Sequence, residues 1–93
     1  MNDLNSQTVV ELDTKSLTHN SFDLIVKWGD QNLDFAFRII QSVWNLRHEL
    51  TKYEIHLEQV EPIIFRIHCR DQVYQEDVDQ MKSIMLKIVS MIS

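Results

Sequence analysis

The chain has one cysteine, one glycine and one proline in 93 residues, and each scarcity removes a class of function. A lone cysteine, Cys69, excludes an intrachain disulfide and fits a reducing compartment. With Gly29 as the only glycine, no glycine-rich phosphate cradle is possible. The acids Glu76, Asp77 and Asp79 lack the ligand spacing and central glycine of a calcium loop. Basic charge is also short: nine Lys/Arg face fourteen Asp/Glu, for a formal net charge of −5. Counterion release on a phosphate backbone needs a clustered basic surface, so nucleic acid is not an expected partner. The same balance suits a basic protein partner, or simply keeps a small protein in solution. No wholly apolar stretch exceeds three residues, so no segment reads as membrane-spanning. The start, Met1-Asn2-Asp3-Leu4-Asn5, lacks the basic and apolar regions of a secretory signal. Cytoplasmic residence is the default expectation.

What is present is the composition of a folded chain, 44% hydrophobic and 25% charged. This length predicts one domain, burying roughly 60–65% of its unfolded surface. Residues 1–7 read as a flexible polar start, and 8–93 as a single α+β domain.

Residues 8–13 read as a short strand with Val10 and Leu12 on one face, and 14–21 as a polar connection. In 22–28, Phe22, Leu24, Val26 and Trp28 alternate with Asp23, Ile25 and Lys27, a clearer strand. Gly29 gives the exit backbone freedom, and Asp30 is a plausible N-cap for a helix running from Leu33 to about 50–51. Tyr53, Ile55 and Leu57 then alternate with Glu54, His56 and Glu58. After Glu61-Pro62, Ile63, Phe65, Ile67 and Cys69 alternate with Arg66, His68 and Arg70. Two antiparallel strands with one dry and one wet face follow. A three-residue loop, Glu61-Pro62-Ile63, would set Glu58 opposite Arg66, His56 opposite His68 and Glu54 opposite Arg70. Inside, it would set Leu57 opposite Ile67 and Ile55 opposite Cys69. Opposite-charge pairs favour that register, and a one-residue slip would set apolar against polar throughout. A second helix starts between 71 and 75, with acids in its first turns where the helix dipole favours them.

The order ββαββα predicts a two-layer α+β sandwich: a four-stranded antiparallel sheet, order 1-2-4-3, with two helices on one face. The crossover between the second and third strands is expected to be right-handed. The arrangement resembles a ferredoxin-like sandwich with its last strand moved to the front, which fixes no function. The other sheet face is expected to be wet, with Val9, Ile25 and Ile64 as apolar intrusions.

Both helices are greasier than one sheet requires. At about 100° per residue the apolar positions of the second helix cover roughly 160°, with Leu86 outside that arc, and those of the first roughly 200°. A helix lying on a sheet needs little more than about 100°. Two helices side by side use one flank of each on one another. Exposing the remaining edges would leave a patch larger than monomers tolerate. Phe35, Ile39 and Leu46 on the first helix, with Leu86 and Met91 on the second, are therefore the expected partner-binding residues, with Phe37 and Trp44 on the arc's far edge. Met81 and Met85 read as gap-filling core.

His56 and His68 are the one side-chain pair suggestive of a ligand, a divalent metal included, although Arg66 and Arg70 alongside repel a cation. Cys69 points inward, away from the electropositive, partly exposed surroundings that activate a thiol. His48 suits the end of the first helix, and His19 falls in a loop. No nucleophile, paired carboxylate or cofactor motif is recognisable, so neither an enzyme nor a cofactor is expected. The leading expectation is a small acidic protein-interaction module (an inhibitor, adaptor, secretion-type chaperone or accessory subunit), dimeric or bound to a protein partner. The alternative is a small-ligand or metal-sensing regulatory domain, binding at the sheet face or the dimer seam.

Overall fold

The computed structural model describes residues 10–29 and 33–92. The strands β1 (Val10–Thr18), β2 (Ser21–Trp28), β3 (Tyr53–Val60) and β4 (Ile63–Cys69) form one antiparallel sheet in the order β1-β2-β4-β3. The helices α1 (Leu33–Leu46) and α2 (Gln75–Ile92) complete the predicted ββαββα sandwich. The polar start, Val9 and the Asp30 cap lie outside the described residues.

The alternating pattern of the central strands dictates this layering. Phe22, Leu24, Val26 and Trp28 on β2, with Ile63, Phe65, Ile67 and Cys69 on β4, are all buried. Side chains of one parity share one face of a strand, so one face of the sheet is dry. Phe35, Ala36, Ile39 and Val43 of α1 and Met81, Met85 and Ile88 of α2 join those rows in a single core.

The ends of β1 and α1 differ from the sequence reading. β1 runs on to Thr18, through the stretch read as a connection, and turns at His19–Asn20. An edge strand contributes its backbone ladder even where its side chains are polar, so hydropathy does not reveal it. In the turn, the Thr18 hydroxyl lies 2.8 Å from Asn20 Oδ1 and 2.7 Å from the Ser21 hydroxyl. Helix α1 ends at Leu46, earlier than periodicity suggested. The chain then tightens into i to i−3 bonds, Glu49 N–H to the Leu46 carbonyl at 2.8 Å and Leu50 N–H to that of Arg47 at 3.2 Å.

The register of β3 on β4 is also corrected, by two residues. Glu54 faces His68, Ile55 faces Ile67, His56 faces Arg66 and Leu57 faces Phe65. The turn is the two residues Glu61–Pro62, joined by a cis peptide, and the register breaks between Leu57 and Gln59, leaving Glu58 as the extra residue of a bulge. Because the shift is even, every side chain keeps its predicted face.

Two expected interface residues belong to the core: Phe35 and Ile39 are buried. The Phe35 ring packs against Trp28, centroids 6.2 Å apart at 51°. An apolar arc wider than the contact it makes does not reveal which edge faces inward; here Phe35, Ile39 and Val43 face the sheet. Leu46 is half-buried against the same core. Ile39→Ala should therefore cost about 2–5 kcal/mol, whereas Leu86→Ala, at an exposed position, should stay within about 0.5 kcal/mol. Urea unfolding of the two variants measures the contrast.

Candidate functional site

With Phe35 and Ile39 spent on the core, the exposed flank of α1 is Leu33, Phe37 and Trp44, spaced four and seven apart with half-buried Ile40 between them. Phe37 is 55% exposed and Trp44 51%. Both border a groove of 710 Å³ between α1 and β3, floored by Ile40, Val43, Ile55 and Phe65 and rimmed by His56, Leu57 and Glu58. Leu57, 40% exposed, is its apolar wall on the sheet side. The Arg47 guanidinium lies 3.9 Å over the Trp44 ring and donates to the Trp44 carbonyl at 2.9 Å, a cation–π contact that holds the indole in place.

A second groove, of 490 Å³, separates α1 from the end of α2. It shares Phe37 with the first and is bordered by Met91, which is 84% exposed. Met91 and Leu86 are thus accessible, as the sequence suggested, but Leu86 borders neither groove. Of the five expected partner-binding residues, the structure sets only Met91 beside either groove, and that groove is otherwise lined largely by the polar Asp34, Arg38, Gln41 and Ser42. The sequence missed Leu57, whose exposure follows from its place on an edge strand.

The outer sheet face is a lattice of ion pairs. The Arg66 guanidinium takes Asp23 with Nε at 3.0 Å and Nη2 at 3.4 Å, and reaches Glu58 at 3.4 Å. Lys27 sits 3.9 Å from Glu11 and 4.0 Å from Asp13. His56 and His68 meet edge to face with centroids 5.6 Å apart, and His56 Nε2 contacts Glu54 at 2.7 Å. Among the described residues, no group of three or more His, Cys, Asp or Glu is arranged to hold a metal ion.

The chain matches no protein-family model, no curated protein and no solved structure. Among the described residues, no helix is long and apolar enough to cross a membrane.

One buried polar cluster also escaped the sequence reading, which took Asp77 only as a helix-dipole acid. Asp77 is fully buried, three residues beyond Tyr74, and its Oδ2 accepts the Tyr74 N–H at 2.9 Å. That is the reach-back half of a capping box, and the three-residue spacing was the available signal. Its Oδ1 accepts from Lys52 Nζ at 2.7 Å and from the Tyr53 hydroxyl at 2.8 Å. Burial alone would raise the Asp77 pKa. The bonds from Lys52, the Tyr74 amide and Tyr53 outweigh burial and hold the carboxyl below its ordinary 3.8. Burial and the neighbouring Asp77 push the Tyr53 phenol upward. Burial likewise raises the Cys69 thiol, which suits the core role expected of it.

These contacts tie the start of α2 to the start of β3. A carboxyl depressed in the folded state stabilises the fold above its unfolded pKa and loses that contribution as pH falls through the folded value. Acid titration of stability should therefore show a loss setting in below about pH 4, which Asp77→Asn flattens. Tyr53→Phe should cost about 0.5–1.5 kcal/mol at neutral pH. Urea unfolding across pH measures both.

Proposed function

We propose that this chain is a small acidic protein-interaction module that binds a protein partner through the groove between α1 and β3. The observation that carries the reading is the convergence of Phe37, Trp44 and Leu57, large apolar side chains left in water, on one 710 Å³ groove. Clustered apolar surface of this kind marks interaction sites, and exposed aromatic residues lining a groove are the usual anchors of binding energy. The role is one of binding rather than catalysis, as inhibitor, adaptor, chaperone or accessory subunit. Across the second groove, Met91 adds one more exposed apolar side chain near Phe37, among the polar residues Asp34, Arg38, Gln41 and Ser42. The ligand-sensing alternative draws less support, because Arg66 and Lys27 already serve the carboxylates of the sheet face.

Phe37→Asp and Trp44→Glu should each keep the wild-type melting temperature and far-UV circular dichroism. In lysate of the source cell, size-exclusion with immunodetection should place the wild type in a larger complex and both variants at smaller size. Co-elution of the variants with the wild type overturns the reading.

A further inference from the structure

The wall of this groove is an edge strand. Among the described residues, the order β1-β2-β4-β3 leaves β3 with a neighbour on one side only. The Cys69 N–H donates to the Asn20 carbonyl, on the β2 side of β4. Antiparallel ladders alternate residue by residue, so Glu54 and His56 exchange hydrogen bonds with His68 and Arg66. Ile55 and Leu57 therefore direct their N–H and C=O groups away from β4. Tyr53 also faces the free edge, where its N–H is taken by the Leu50 carbonyl at 3.0 Å. Among the described residues, no strand pairs with the open groups of Ile55 and Leu57. The bulge at Glu58 ends the regular ladder, as bulges at edges commonly do. The docking length is thus about five residues, Tyr53 to Leu57.

The side-chain environment beside this edge is two-sided. A strand laid along β3 would turn alternate side chains toward the helix layer, into the groove bounded by Phe37, Trp44 and Leu57. The intervening side chains would join the outer row, beside Glu54 and Glu58. On β3 that row is Glu54, His56 and Glu58, with Glu54 in contact with His56 and Glu58 reached by Arg66; Glu61 follows, and the chain as a whole carries a net −5. A second copy would bring the same carboxylates and the same net charge, whereas a segment alternating apolar and basic side chains matches both sides of the edge.

Resting on the docking-groove reading above, we infer that β3 accepts an extended segment of a partner protein as a fifth strand, with its apolar side chains in the α1–β3 groove and its basic side chains along Glu54 and Glu58. Backbone pairing supplies part of the affinity in such strand addition, and alternate side-chain pockets supply specificity.

The test uses the full chain and a labelled octapeptide of alternating valine and lysine, followed by NMR titration into the millimolar range with amide hydrogen exchange. The expected result is saturable binding that protects the Ile55 and Leu57 amides and weakens as salt rises. N-methylation of the valine amides that would face β3 should weaken binding about tenfold, the loss of one to two hydrogen bonds. Exchanging lysine for glutamate in the peptide should abolish it. Leu57→Pro should act like N-methylation, since it removes a donor from the free side and leaves the β4 ladder intact. If that variant does not fold, the methylated peptide carries the comparison alone. Absence of binding, or binding without protection of Ile55 and Leu57, overturns strand addition and leaves the groove reading standing. Protection of those amides by protein concentration alone makes the occupant a second copy, and also overturns it. Binding that Trp44→Glu leaves unchanged defeats the groove reading itself.

Discussion

The rest of the molecule depends on the burial of two adjacent side-chain rows. Phe22, Leu24 and Val26 of β2 lie against Ile63, Phe65 and Ile67 of β4, all withdrawn from water. Because these rows share one parity, the helix layer is confined to one face. Each position is worth about 1.5–3 kcal/mol in transfer from water, so no rearrangement that turns the rows outward is tolerable. The Asp77 cluster then fixes where α2 begins. Its carboxylate joins the cap of the helix to Lys52 and Tyr53 at the head of β3, so a polar contact of defined geometry complements a core whose packing is undirected.

That arrangement satisfies the middle of the sheet and leaves its margins open. Among the described residues, β2 and β4 have neighbours on both sides, while β1 and β3 have one each. The two edges differ. β1 is long and largely polar along its second half, and its Glu11 and Asp13 lie near Lys27. Charged, polar edges resist unwanted pairing. β3 instead runs beside the apolar flank of α1, where Phe37, Trp44 and Leu57 border one groove. The proposed function rests on this asymmetry: one edge is guarded by charge, the other is bordered by unspent hydrophobic surface.

The fold was legible because the alternation of 22–28 and 63–69 is broken only at Ile25 and Ile64 and the two helical patterns are long. Faces were recovered even where register was not, since the bulge at Glu58 and the two-residue turn together shift pairing by an even step. What escaped has identifiable causes. The polar half of β1 has no hydropathy signature, and α1 stops at Leu46 without a glycine to mark its end. The rotation of α1 about its axis was not readable from an apolar arc near 200° wide, so Phe35 and Ile39 were assigned outward when the sheet and Trp28 hold them inward. The width of the apolar arc signals excess apolar surface, which the structure locates at Phe37 and Trp44, on the arc's far edge. Asp77 was hidden because the same residue type at a helix start is usually solvated.

The central claim is that the α1–β3 groove, and not the ion-paired sheet face, is where this protein meets its partner. A photoreactive phenylalanine analogue placed at position 37 or 57, and in parallel at Lys15 or Lys27 on the opposite face, tests it directly in the source cell. Protein crosslinks are expected from 37 and 57, and none from 15 and 27. Crosslinks confined to the sheet face, or none from the groove positions, would contradict it.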